Sequence, residues 1–246
     1  MIKQAIIPLA GLGTRLLPLT SVFAKELLPI NGKPGIEYIL DECIEAGIKE
    51  VVFIISKKKK MIKNYFYKDS FYKKIIKNKK DVRISKEYKK TKKYIKNNFF
   101  LMLLPDDLII KNNCSKSMIN IHKRYKSSVM ASMNVDKKSV SRWGIYKLGK
   151  KINKRNYLIT DVIEKPSANN APSNKAVIGR YILHKDIFSK LSKQKPGKGG
   201  EVHITDAIQT LIFENNKFIA HNFSGKYLDC GSMHGYIKST LEIAKL

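Results

Sequence analysis

Short apolar runs alternate with longer amphipathic segments from the amino terminus onward. Gln4–Leu9 is apolar and stops at a Gly-rich turn, as a buried strand does. Ile36, Ile39, Leu40, Cys43 and Ile44 recur at helical spacing, and Gly47 follows as a stop. Glu50–Ile55 is the next apolar run. Phe99–Leu104 is another, and it ends at Pro105-Asp106-Asp107. Lys57–Phe66 and Glu87–Asn97 read as Lys-rich helices. A helix near Ser117–Tyr125 and a strand near Ser128–Val135 follow. This alternation predicts βα units on a largely parallel sheet.

The second half reads as more antiparallel. Trp143–Leu148, Tyr157–Glu164 and Val177–Leu183 are strand candidates, with a loop at 169–174. Gly197–Gly200 is a loop leading into a helix at Glu201–Phe213. A strand at Phe218–Phe223 and a helix at Gly235–Lys245 finish the chain. There is no internal repeat and no Pro/Ser-rich linker. The expectation is one α/β domain over residues 1–246, with an inserted lobe in its second half.

Composition narrows the class. Of 246 residues, 43% are apolar, which argues against wholesale disorder. No apolar run reaches the ~18–20 residues that cross a bilayer. The apolar stretch at the amino terminus is too short for a signal peptide, so a cytoplasmic protein without a membrane span is expected. Cys43, Cys114 and Cys230 lie far apart and make no zinc or CxxC spacing, which reads as reduced thiols.

The net charge is +28. It suggests a polyanionic partner, or else general Lys and Asn enrichment of the surface. Lys (42), Ile (32) and Asn (17) fill 91 of the 246 positions, which favours the second reading. Segment 57–98 is the densest, with 18 Lys+Arg against Asp69, Asp81 and Glu87. Tyr65, Phe66, Tyr67, Phe71 and Tyr72 lie among those lysines. They could stack on bases, but aromatics at helical spacing more often face a core.

The first βα turn reads Ala10-Gly11-Leu12-Gly13-Thr14-Arg15. Its glycines let backbone N–H groups approach phosphate oxygens, and Arg15 adds a forked cation. It is not a dinucleotide fingerprint, because Leu16 stands where a third glycine would be. It is not a Walker A loop either. An ordinary tight turn is the alternative. Asp106 and Asp107 fall at the carboxyl end of a strand, where open α/β sheets bind ligands. Such a pair can cap a helix or hold a Mg²⁺ that bridges phosphates, and Asp229 is a candidate second carboxylate.

The stretch from Gly11 to Pro34, GLGTRLLPLTSVFAKELLPINGKP, resembles the nucleotidyltransferase signature of sugar-nucleotide pyrophosphorylases. Glu164-Lys165-Pro166, Ala171–Leu183 (APSNKAVIGRYIL), Gly200–Ile208 (GEVHITDAI) and Gly225–Tyr236 (GKYLDCGSMHGY) follow in an order similar to the bacterial UTP–glucose-1-phosphate uridylyltransferases. The resemblance covers Lys3–Phe66 and Phe99–Lys238. It implies a Rossmann-like nucleotidyltransferase fold with a mixed, mostly parallel central sheet flanked by helices. The nucleotide-binding half would be about 1–135 and the sugar-binding half about 136–246. It implies UTP and glucose 1-phosphate as substrates, Mg²⁺ as cofactor, a homo-oligomer, and no specific nucleic acid. By matched position, Ala10, Gly11, Gly13 and Asp107 would bind nucleotide. Arg15 and Lys25 would act on the triphosphate, and Asp106 and Asp229 would hold the metal. Glu164, Lys165, Gly179 and Glu201 would bind the sugar phosphate.

The chain departs from that family's pattern in places. Residues 82–98 carry no Gly and no Gln where the family has a Gln-containing strand and a Gly-rich helix start that help read the uracil. Ser21 and Ala24 stand where Lys and Pro are usual. Three alternatives therefore stand beside an active uridylyltransferase. One is a non-catalytic relative that binds without turnover. One is an enzyme for another triphosphate such as dTTP. The last is a basic nucleic-acid-binding protein, whose affinity would fall steeply with salt.

Overall fold

The computed structural model describes residues 2–67, 82–85, 94–195 and 202–246. In chain order the elements are β1 (Gln4–Pro8), β2 (Pro29–Ile30), β3 (Lys33–Pro34), α1 (Gly35–Glu45), β4 (Glu50–Ile54) and α2 (Lys60–Tyr67). Next come β5 (Val82–Ser85), β6 (Phe99–Leu103), β7 (Asp107–Ile110), α3 (Cys114–Tyr125), β8 (Ser128–Asn134), β9 (Gly144–Lys151) and β10 (Asn156–Glu164). The last are β11 (Lys175–His184), α4 (Ile187–Lys193), α5 (Ile204–Phe213), β12 (Phe218–Asn222), β13 (Lys226–Asp229) and α6 (Met233–Ala244).

One nine-stranded sheet dominates, in the order β5-β4-β1-β6-β11-β8-β12-β10-β9. Strands β1, β4, β5 and β6 pair in parallel, as do β8 and β12. Among the described strands of this sheet only β10 and β11 run against the rest. The expected mixed sheet forms, and most of its described strands point one way; because β10 and β11 are interleaved with the rest, however, antiparallel pairings (five) outnumber parallel ones (four). Because β11 lies between β6 and β8, the two sequence halves share one sheet.

The central strands are apolar throughout because both faces are covered. Ala5 and Ile7 face a core shared with Ile36, Ile39 and Cys43 of α1, Ile62 of α2 and Met118 of α3. Their neighbour Ile6 points the other way, to a core with Phe188 of α4 and Ile208 and Leu211 of α5. The helices thus flank the sheet on both sides. No helix among the described residues is long and apolar enough to cross a membrane.

Some expectations need correction. Helix α3 starts at Cys114, three residues before the expected Ser117, because Asn113 caps it by accepting from the Lys116 N–H (2.7 Å). The helix expected at Glu201–Phe213 begins at Ile204. In the helix expected at Glu87–Asn97, residues 87–93 lie outside the described residues, and 94–97 form no α-helix. That short piece is held instead by β1: the Gln4 side chain accepts from the Lys96 N–H and donates to the Tyr94 carbonyl. The expected strand at Phe218–Phe223 forms to Asn222.

Two of the Lys-rich segment's aromatics do face inward. Phe66 is buried against Phe53 (ring centroids 5.0 Å apart), and the Tyr65 hydroxyl donates to Glu37 (3.1 Å). Phe71 and Tyr72 lie outside the described residues. Cys43, Cys114 and Cys230 are free and buried, as the reduced-thiol reading requires.

Candidate active site

Parallel strands β1 and β6 deliver their following loops to the same edge of the sheet. The loop after β1 holds Gly13 at φ 72°, a left-handed conformation that favours glycine. Thr20 ties this loop by donating to the Gly13 carbonyl (2.8 Å), and Arg15 follows in a 3₁₀ turn. The loop after β6 carries Asp106, and β7 starts at Asp107.

A second small sheet brings in the distant carboxylate. Strands β7 and β13 pair antiparallel, with Asp107 opposite Asp229. The Cys230 N–H then donates to the Asp106 carbonyl (2.8 Å). Asp106 and Asp229 converge beside Gly231. A methyl placed there would sit 2.8 Å from Asp106 Oδ2, 3.2 Å from Asp229 Oδ1 and 3.0 Å from Arg15 Nη2. Lys25 Nζ donates to Asp106 Oδ2 at 2.6 Å. Burial is the largest influence and works against the Asp106 charge, but Lys25, a backbone hydrogen bond and Arg15 together outweigh it and hold this carboxyl below the usual range.

A cavity of about 660 Å³ opens at this edge. It is lined by Thr14, Arg15, Asp106, Asp107, Asp229, Glu164, Lys165 and Gly179 among others. Glu164 ends β10 and accepts from the Thr205 hydroxyl (3.0 Å), while Lys165 Nζ lies 3.7 Å from Glu164 Oε1. Lys165 has φ 46°. Left-handed backbone at a lysine that borders a cleft is an observation that points toward function.

Of the residues expected at the site, seven line this one cavity: Arg15, Asp106, Asp107, Asp229, Glu164, Lys165 and Gly179. Lys25 reaches it through Asp106. Ala10, Gly11 and Gly13 are not among the lining residues. Gly11 is exposed, and Gly13 packs beside the Lys25 stem. Glu201 lies outside the described residues.

Two of these residues have a use that the sequence did not show. Asp107 engages both carboxylate oxygens with protein donors: Oδ1 accepts from Tyr227 (2.7 Å) and Oδ2 from the Gly179 N–H (2.9 Å). Burial first, and the Asp106 charge second, push its carboxyl up to about 6. Asp107 thus builds the cavity floor. Gly179 is small because Leu104 and Asp107 occupy the space a side chain would need.

Sequence reasoning missed several lining residues: Arg142, Trp143, Thr205 and Tyr227. Arg142 Nη2 lies 3.6 Å from Asp229 Oδ2, and Trp143 packs edge-on against Tyr227. The segment that flagged Asp229 also contains Tyr227, so its aromatic was available as a signal. Two buried ion pairs were missed as well. Lys59 donates to both Glu26 oxygens (2.6 and 2.7 Å), and Arg180 is forked onto Glu42.

The carboxylate pair fits a hard divalent cation. One oxygen from the loop after β6 and one from the end of β13 lie beside Gly231, and no cluster of three His, Cys, Asp or Glu that could hold a metal exists among the described residues. A cation that keeps water and takes further ligands from phosphate needs no third protein acid. Arg15 and Lys25 beside it can neutralise phosphate oxygens.

A sheet edge of this kind, with cations and a carboxylate pair around a nucleotide-sized cleft, defines an α/β enzyme acting on phosphate esters of nucleotides. Similarity to known proteins agrees. The chain belongs to the nucleotidyl transferase family, whose model matches residues 4–245.

The chain is 34% identical to UTP–glucose-1-phosphate uridylyltransferase 2 of Streptococcus pyogenes serotype M1, over 99% of this chain and 90% of that one. It is 35% identical to UTP–glucose-1-phosphate uridylyltransferase 2 of Staphylococcus saprophyticus, over 99% and 92%. Among solved structures it is similar to a UDP-glucose pyrophosphorylase complexed with UDP-glucose. The TM-score is 0.91 and the identity 36%, covering 100% of this chain and 99% of the other.

Proposed function

We propose that this chain transfers a uridylyl group, joining UTP to α-D-glucose 1-phosphate to give UDP-glucose and pyrophosphate. The observation that carries the reading is the convergence of Arg15, Lys25, Asp106 and Asp229 at a cleft that Glu164 and Lys165 also line. Relatives of that name at 34–35% identity support the choice of substrates.

The glucose 1-phosphate oxygen attacks the α-phosphorus of UTP in line. The bond from that phosphorus to the α,β-bridging oxygen breaks, and pyrophosphate leaves with the electron pair. No proton has to move. Positioning and charge neutralisation are the tasks left to the protein. Arg15 and Lys25 face the triphosphate and meet the charge that develops on the leaving pyrophosphate. Lys165 takes the sugar phosphate, and Glu164 and Glu201 accept from sugar hydroxyls. The Gly11–Gly13 loop approaches the nucleotide with its backbone. Asp106 and Asp229 would hold Mg²⁺, which when bound screens the phosphate charges.

A homo-oligomer in a reducing cytoplasm completes the proposal; three buried free thiols fit that compartment. Light scattering would measure the oligomer. The test of function is pyrophosphate release with glucose 1-phosphate and each of the four nucleoside triphosphates. Preferred turnover of UTP is expected. No turnover by folded protein with Mg²⁺, or a preference for dTTP, would overturn the assignment.

A further inference from the structure

The turn that bears Asp106 is held from behind by an arginine with no exposed surface. Arg180 lies mid-way along β11, in an otherwise apolar run, and is fully buried. Its Nε donates to Glu42 Oε1 and Oε2 (3.1 and 2.9 Å), and its Nη2 to Glu42 Oε2 (2.8 Å). The remaining donors go to main chain. Nη2 donates to the Asp107 carbonyl (2.7 Å), and Nη1 to those of Gly179 (3.0 Å) and Leu104 (3.3 Å). Glu42 in α1 is fixed in turn by the Ser115 N–H (3.1 Å) and hydroxyl (2.5 Å) at the start of α3.

A buried ion pair is a poor way to gain stability, because desolvating both charges offsets most of their attraction. Its location suggests another use. Leu104, Asp107 and Gly179 all line the cleft, and Asp106 falls between the first two along the chain. Carbonyls on both sides of Asp106 therefore point at one rigid guanidinium. That pins the peptides that open and close the turn, Leu104–Pro105 and Asp107–Leu108, and so limits how the backbone of Asp106 between them can turn. A lysine could not do this, since one ammonium cannot span a carboxylate and three carbonyls in a fixed plane.

We propose that Glu42 and Arg180 are positioning residues, which aim the Asp106 carboxylate at the divalent cation of the reaction. The inference rests on the nucleotidyl-transfer reading of the cleft. Neither residue reaches the cleft itself, so both act through the Leu104–Asp107 turn.

The experiment compares wild type with Arg180→Lys and Glu42→Gln. Mn²⁺ binding to the folded protein is followed by quenching of Trp143, the single tryptophan, which lines the cleft. Melting temperature and the Mg²⁺ dependence of kcat are measured on the same samples. Arg180→Lys is expected to weaken Mn²⁺ binding by ~10-fold, as removal of an outer support of a metal ligand does. The Mg²⁺ midpoint of kcat should rise in parallel, with little change in KM for glucose 1-phosphate. A lower melting temperature with an unchanged Mn²⁺ constant and Mg²⁺ midpoint would make the pair merely structural and overturn the proposal.

If Arg180→Lys does not fold, Glu42→Gln decides. It keeps the volume and an oxygen for Ser115, and an unchanged Mn²⁺ constant there overturns the proposal equally. The two readings fail separately. Wild type without turnover, but with Mn²⁺ binding lost in Asp106→Asn and weakened in Arg180→Lys, refutes the reaction and keeps the positioning role.

Discussion

Replacing Gly179 by alanine tests how tightly β11 is pressed against the Asp106 turn. The added Cβ would lie 2.6 Å from Leu104 Cβ and 2.8 Å from Leu104 Cγ, and closer still to Asp107 Oδ2. Ordinary carbon contact begins near ~3.5 Å, so the strand and the turn must part by about 1 Å. None of the neighbours yields easily. The Leu104 N–H donates to the Gly179 carbonyl (2.8 Å), and Asp107 is held by Tyr227 and by the Gly179 N–H.

Overpacking of this kind costs about 1–3 kcal/mol, and one weakened buried hydrogen bond adds about 1 kcal/mol. For a chain of this size each kcal/mol moves the melting temperature by about 2–4 °C, so a fall of about 5–15 °C is expected. The same 1 Å shift displaces Asp106 and should lower kcat by about 10²-fold. Gly11→Ala is the stability control, because nothing lies within 4 Å of its added Cβ. The assays are calorimetry and pyrophosphate release. Gly179→Ala melting within about 2 °C of wild type, with kcat within about two-fold, would refute the steric reasoning.

Other substitutions probe other parts of the molecule. Asp106→Asn should lower kcat by at least about 10²-fold while circular dichroism stays native; near-normal kcat in a pyrophosphate assay would remove Asp106 from the metal site. Lys59→Met strands the buried Glu26 carboxylate and should cost about 3 kcal/mol in urea unfolding, and Lys59→Met with Glu26→Leu should recover most of it. A double variant no better than the single would show that the pair's geometry, not its charge, matters. Burial pushes His221 down to about 4, well below an unfolded imidazole near ~6.5. The unfolded chain therefore takes up a proton that the folded chain refuses. Stability from this group is full above pH ~6.5 and is lost as pH falls toward ~4, by about 3 kcal/mol. His221→Gln should flatten the urea midpoint over that range, and equal slopes in both proteins would contradict the assignment.

The parts of the fold that were legible in the sequence are those whose burial is continuous. Strands β1, β4 and β6 are covered on both faces, so they appear as unbroken apolar runs, and α1 shows one apolar stripe. Strands β7 and β13 were not legible. Each has four residues, and they find each other across the length of the chain, Asp107 opposite Asp229. No local pattern encodes such a pair. Asp106 and Asp107 could therefore be read as a cap or a metal site, and only the pairing with β13 separates their tasks. Arg180 lies in the segment 171–183, directly after Gly179. A charged residue inside a run such as AVIGRYIL is a sign of a buried ion pair, although its partner Glu42 lies 138 residues away.

Charge in this molecule has two uses, and burial separates them. The Arg180–Glu42 and Lys59–Glu26 pairs are sealed from water, and neither can exchange its partner for a ligand. Burial pushes Glu26 up and Lys59 down, so the interior disfavours even their paired charges. Their value lies in what they hold in place. The cations around the cleft are different. Lys25 faces Asp106, Arg142 faces Asp229 and Lys165 faces Glu164, at 2.6, 3.6 and 3.7 Å, and each pair borders solvent. An incoming phosphate can draw these cations from their carboxylates, because water and the ligand share the cost of the exchange. Two of the carboxylates so released, Asp106 and Asp229, are the ones that face a common point. The cleft therefore sets each of these cations beside a carboxylate, close to charge balance. A formal net charge of +28 on the whole chain does not describe that behaviour. Among the described residues most lysines are not part of the cleft lining, and their charge can speed the encounter with an anion but cannot discriminate one anion from another.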